Sequence, residues 1–197
     1  MIQSGKFDSP NMDIKKLGNS VLFFTIKKLI EISSILVSVF GVLLFIALIS
    51  YSPNDPNFVF PENTVISNLF GFQGSYTSDL FFQSVGFISY LVPLTYILTG
   101  VNIFRSKKIL LLIENSFFIV LYSLVGSIFF NFYYNNTFSL YINGSGGFVG
   151  SYFNKIFFND IINSYQNIFY YSFLILTIIF FLLSVNFKIK SFLLLLK

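Results

Sequence analysis

Four long stretches of the chain are almost free of charge, and each is long enough to cross a bilayer as a helix. A hydrocarbon core about 30 Å thick takes roughly 20 mostly apolar residues in helical form. The first stretch follows Lys27, Lys28 and Glu31 and runs to about Ser50. The second lies between Asp79 and Arg105, where no charge occurs. The third starts at Ile109 with Glu114 as its one charge, and the fourth falls between Asp160 and Lys188. This pattern predicts an all-α membrane protein with helices at about 29–50, 81–104, 109–132 and 165–187, inside a membrane domain over residues 21–190. A secretory signal is a poor fit to the first stretch, which begins late, is too long, and lacks a small-residue cleavage site. Residues 1–20, rich in Gly, Ser, Pro, Asn and alternating charge, predict a mobile cytoplasmic tail. Residues 191–197 read as the start of a second cytoplasmic tail, with a motor domain absent.

Basic residues in short loops mark the cytoplasmic side. Lys6, Lys15, Lys16, Lys27 and Lys28 precede the first helix. Arg105, Lys107 and Lys108 fill the turn between the second and third, and Lys188, Lys190 and Lys197 follow the fourth. On the other side Lys155 is the only basic residue, beside Asp55, Glu62, Asp79 and Asp160. Both termini are therefore expected in the cytoplasm. The net charge of +4 is explained by this topology, so it gives no reason to expect nucleic-acid binding.

The loops have their own chemistry. The first outer loop opens Ser50-Tyr51-Ser52-Pro53-Asn54-Asp55-Pro56, where two prolines favour a tight turn that ends helix one sharply. The second outer loop holds Gly144, Gly146, Gly147 and Gly150, then Phe148, Val149, Tyr152, Phe153, Ile156 and Phe157 at helical spacing. Asn154, Lys155, Asn159 and Asp160 take the opposite side. That predicts a short amphipathic helix lying in the outer interface.

Composition narrows the chemistry. Hydrophobic residues make up 55% and charged residues only 10%, with a mean hydropathy of +0.77. Cys and His are both absent, which removes thiol catalysis, disulfides, imidazole bases and Cys/His metal sites. No G-x-x-x-x-G-K-[ST] phosphate loop occurs. No catalytic, cofactor-binding or metal-binding residue is assigned, and no cofactor is expected.

The ordered motifs resemble the amino-terminal four-helix membrane domain of the FtsK/SpoIIIE DNA translocases. Ser50-Tyr51-x-x-x-Asp55-Pro56 is similar to that family's exit from its first helix. Asn68-Leu69-Phe70-Gly71-Phe72-Gln73-Gly74, then Asp79-Leu80-Phe81-Phe82-Gln83, Gly86 and Tyr90-Leu91-Val92-Pro93 continue the resemblance. Gly146-Gly147-Phe148-Val149-Gly150 resembles the glycine-rich entry to its last outer segment. The family's second glycine cluster is replaced here by Ile161-Ile162-Asn163-Ser164-Tyr165. The resemblance implies an inner-membrane anchor and septum-targeting module that acts in cell division and chromosome segregation. It also implies contacts with the lipid bilayer and with other division-site membrane proteins, and a homo-oligomer, without nucleotide or direct DNA chemistry in these residues.

Individual residues keep two readings each. Asp55 is either a partner-contact carboxylate or a turn-former between prolines. Asp79, directly before the expected second helix, suits capping of that helix. Glu114 is either an ion relay or a carboxylate reaching back to the cytoplasmic interface. Ser34, Ser38 and Gly41, and on helix two Gly86, Pro93 and Gly100, form small-residue stripes that pack within the chain or between subunits. Pro93 is expected to kink helix two. A small transporter or channel is the alternative function, and it requires polar groups converging deep in the bilayer.

Overall fold

A computed structural model describes residues 14–56, 65–135, 143–155, 162 and 164–187, with side chains from residue 18 onward. Among these residues all regular structure is helical. The order is α1 (Ile14–Ile49), α2 (Gly71–Val85), a 3₁₀ segment (Gly86–Tyr90), α3 (Leu91–Ser106), α4 (Leu111–Tyr134), α5 (Gly147–Phe153) and α6 (Gln166–Ser184). Four helical stretches are long and apolar enough to cross a membrane: Gly18–Ile49, Gly71–Ser106, Leu111–Tyr134 and Gln166–Ser184. The turn between α3 and α4 defines one end of the bundle, called the turn end below. The C-terminus of α1 and the loops define the other, the loop end.

The 36 residues of α1 give a helix about 54 Å long, well beyond the hydrocarbon thickness. Residues 14–20, expected in the tail, are already helical. Residues 1–13 and 188–197 lie outside the described residues.

The second span starts earlier than the charge-free run suggests. Gly71–Val85 is helical although Gln73, Ser75, Thr77, Ser78 and Asp79 make its beginning polar. The buried members of that face are Gly74, Ser75, Ser78, Asp79 and Phe82. Asp79 thus lies well inside α2 and does not cap its start, contrary to the expectation from sequence.

The break in this span falls at Gly86, where φ is +69°. A Cβ there would run into the Ser145 carbonyl, while the next amide, Phe87 N–H, donates to that same oxygen at 2.8 Å. Only glycine allows both the left-handed backbone and this approach. Pro93 was the expected source of a kink, but it sits in the first turn of α3. There its fixed φ suits a first helical turn.

α1 packs along α3, and α4 along α6. At the α1–α3 crossing a Cβ on Gly41 would lie 2.8 Å from the Ile97 nitrogen and 2.9 Å from the Pro93 carbonyl. One on Gly100 would meet the Ser34 carbonyl and the Ser38 hydroxyl, and Ser38 donates to the Ile97 carbonyl at 3.1 Å. The small-residue stripes are therefore filled within the chain. The apolar core is small and gathers Leu44, Leu48, Phe82, Ile88, Val92, Ile119 and Tyr122. Much of the remaining apolar surface points outward, as at Phe40, Phe117 and Ile175, which suits helices solvated by lipid.

Packed against α4 and α2, the helix α5 turns its glycines inward. Gly147 and Gly150 are buried, and Phe148 and Tyr152 are exposed. Asn154, read from the sequence on the solvent side, instead donates to Asn131 of α4 at 2.9 Å. Residues 156–161, which complete the expected amphipathic pattern, lie outside the described residues.

Candidate functional site

Helix α1 ends with carbonyls that no later turn of helix can satisfy. Asn68 supplies the donors: its Nδ2 reaches the Ala47 carbonyl at 2.9 Å and the Ser50 carbonyl at 3.3 Å. Its Oδ1 accepts the Phe70 N–H at 3.1 Å, and its own carbonyl accepts the Gly71 N–H at 2.9 Å. Gly74 leaves the room this side chain needs, since a Cβ there would overlap Asn68 Oδ1.

Asp55 holds the other side of Asn68. Its carboxylate accepts the Ser67 N–H at 2.8 Å and the Asn68 N–H at 2.9 Å, and the residue is only 3% exposed. Both oxygens are engaged within the loop, so Asp55 positions the turn and is not a free surface carboxylate. Ser50 Oγ accepts the Leu69 N–H at 3.3 Å, and Ser75 donates to the Pro56 carbonyl at 2.8 Å. Tyr51 donates from its hydroxyl to Asp79 at 3.1 Å and lays its ring against Phe82. Burial, with the Asp79 charge adding to it, pushes the Tyr51 phenol above its ordinary range and keeps it a donor.

Ser50, Tyr51, Asp55, Pro56, Asn68, Gly71, Gly74 and Asp79 thus form one polar knot that ties the end of α1 to the start of α2. Pro53 and Asn54 form the exposed tip of its turn.

Gly86, Gly146, Gly147 and Gly150 meet in a second knot. Gly147 packs on the backbone of Ser84 and Gly86, and Gly146 and Gly150 pack on Ser127 and Asn131 of α4. Ser127 donates to the Val85 carbonyl at 2.9 Å, and Asn143 donates to Gln83 Oε1 at 2.9 Å. Pro93 belongs to neither knot and lies fully buried at the α1–α3 crossing.

The turn end is fastened by charge. Glu31 of α1 pairs with Lys28 and with Lys107, each at 2.8 Å. Lys107 also stands over the Phe104 ring at 4.0 Å. Glu114 is exposed in the first turn of α4, where a carboxylate suits the helix N-terminus. That place is at the helix end, away from the depth a relay requires.

A neutral polar ladder next to this end went unseen in the sequence. Buried Asn115 donates to Thr99 at 2.8 Å and accepts from Asn186 at 2.7 Å. Asn102 donates to the Val185 carbonyl at 3.0 Å, and Thr95 meets both Tyr122 and Ser184 at 3.1 Å. These bonds join α3 and α4 to the end of α6. A lone Asn or Thr in an apolar run was the available signal, because such groups need partners once buried.

Comparisons with known proteins place the chain in a family. The family described as the 4TM region of DNA translocase FtsK/SpoIIIE matches residues 27–195. A DNA translocase FtsK from Rickettsia prowazekii (strain Madrid E) is 29% identical over 109 residues, which cover 54% of this chain and 14% of that protein. The DNA translocase FtsK of Rickettsia typhi (strain ATCC VR-144 / Wilmington) is 30% identical over 97 residues, 49% of this chain and 13% of that protein. That of Azospirillum brasilense is 32% identical over 88 residues, 44% of this chain and 14% of that protein. The matched stretch is therefore a small part of each relative's length. No solved structure matches the chain.

Proposed function

The chain belongs to the 4TM region family of DNA translocase FtsK/SpoIIIE, and on that premise we propose that it anchors such a translocase and targets it to the division septum. It is a multi-pass membrane protein of the bacterial inner-membrane type. The family region is the membrane part of the translocase and not its motor. In our reading these residues hydrolyse no nucleotide and contact no DNA.

The reading rests above all on the loop-end knot. Two motif stretches, Ser50–Pro56 and Asn68–Gly74, meet through Asp55 and Asn68 and hold the turn at Pro53 and Asn54 outward. With the basic residues on the cytoplasmic side, this turn faces the envelope, where division-site membrane proteins are to be met. A fluorescent fusion of the chain in a dividing bacterium tests the proposal. Enrichment at midcell is expected, and uniform distribution around the envelope while other division proteins assemble would overturn it.

A further inference from the structure

Beside α4 an apolar groove of about 360 Å³ runs between α2, α3 and α5. Its walls include Leu80, Phe81, Val92, Ile119, Leu124 and Val149. The hollow exists because two lining positions are small, Ser84 on α2 and Ser123 on α4. Ser123 is nine-tenths buried, and its hydroxyl has no hydrogen-bond partner among the described residues.

We propose that this groove takes one acyl chain of a bilayer phospholipid. The groove opens between Leu80 and Val120, which are 53% and 63% exposed. Val120 continues an exposed stripe on α4 that begins with Ile113 and Phe117, spaced by four and three residues as one helical face requires. That stripe is the lipid-facing surface of a membrane span, so the groove is a side branch of the existing lipid interface.

The size selects the occupant. One turn of a helix with its side chains, about 10 Å wide and 5.4 Å high, fills roughly 400 Å³ or more, so the hollow has no room for the body of a partner helix. Water is equally unsuited, since an ordered water needs two to four polar partners and this lining is almost wholly hydrocarbon. A single hydrocarbon chain matches this apolar lining. The inference stands apart from the division role and does not depend on it.

The test uses the full chain in vesicles of phosphatidylethanolamine and phosphatidylglycerol with a trace of phospholipid carrying a diazirine midway along one acyl chain. After illumination, adducts are expected on Ile119 and Val149 inside the groove as well as on Ile113 and Phe117 of the belt. Ser123→Phe fills the hollow without removing any hydrogen bond of the hydroxyl, and Ser84→Phe fills it from the opposite wall. Each should lower the groove adducts at least five-fold relative to the belt adducts. Should these variants fail to insert, Val120→Phe at the exposed mouth carries the same expectation. An unlabelled groove in the unaltered chain, or groove labelling that survives filling, would each overturn the proposal.

Discussion

Asn68 places its amide nitrogen 2.9 Å from the carbonyl oxygen of Ala47, a residue 21 positions earlier. A helix C-terminus is usually closed by a glycine in the next few residues. Here it is closed from the far side of a loop. Capping of α1 and the entry angle of α2 are therefore one structural event.

Asn68→Ala should accordingly destabilise the protein more than a loop substitution normally does. It strands the Ser50 carbonyl and the Phe70 N–H and leaves the Ala47 carbonyl with only the long 3.4 Å contact from Ser50 Oγ, at a cost of about 1 to 3 kcal/mol for a buried polar group left unmade. Thermal unfolding in detergent micelles should show a clear fall in Tm. An unchanged Tm would mean that the knot does not hold α1.

Asp55 and its neighbour Asn54 should behave differently from each other. Asp55→Lys removes the acceptor for the Ser67 and Asn68 amides and buries a charge with no partner, so both stability and midcell enrichment should fall. Asn54 is exposed at the tip, and Asn54→Lys should weaken midcell enrichment while leaving Tm unchanged. Equal effects of the two substitutions on both measurements would remove the tip as a partner-facing surface.

The four spans were legible because lipid demands long charge-free runs, and that demand overrides finer pattern. The start of α2 was not, since Gln73 to Asp79 look like loop until Pro56 and Tyr51 are seen to bond to Ser75 and Asp79. Gly86, Gly146 and Gly147 could be picked out by resemblance, but their mutual contact could not. The Asn115 ladder was hidden for a related reason. Its partners lie as far apart as 71 residues, and no local period links them.

The α1–α3 crossing predicts intolerance of side chains at two glycines. Gly100→Leu should force α1 and α3 apart, because Ser34 and Ser38 occupy the space, at a cost of about 1 to 3 kcal/mol or more from overpacking. Gly41→Leu should do the same through Ile97 and Pro93. Cysteines at Ser38 and Ile97, in a chain with no native thiol, should cross-link readily in the unaltered protein and poorly in either variant. Unchanged cross-linking would mean that the crossing is looser than the contacts require.

Topology can be read with the same thiol-free background. A cysteine at Asn54, exposed at the loop end, should react with an impermeant maleimide in intact cells. One at Ser106, at the turn end among Arg105, Lys107 and Lys108, should react only after the membrane is opened. The reverse pattern would invert the orientation drawn from the basic residues.

Asn115 and Asn186 offer a test of how the last helix is held. Asn115 Oδ1 accepts from Asn186 Nδ2 at 2.7 Å, and Asn115 Nδ2 in turn donates to Thr99. Removing Asn186 leaves buried Asn115 with an unmade bond, and removing Asn115 takes away the acceptor of Asn186, which is exposed at the end of α6; once either is gone, the second substitution has no shared bond left to break. Asn115→Leu and Asn186→Leu should therefore each destabilise, by about 0.6 to 2 kcal/mol for a polar contact between membrane helices. The double variant should lose less than the sum of the two. The reference is Asn102→Leu, which breaks a separate bond to the Val185 carbonyl and should combine with Asn115→Leu more nearly additively. Strict additivity between Asn115 and Asn186 would show that their contact contributes nothing of its own. α6 would then be held to α4 by its contacts toward the loop end, such as the Phe129 and Tyr170 rings and the 2.9 Å bond between the Tyr134 and Tyr170 hydroxyls.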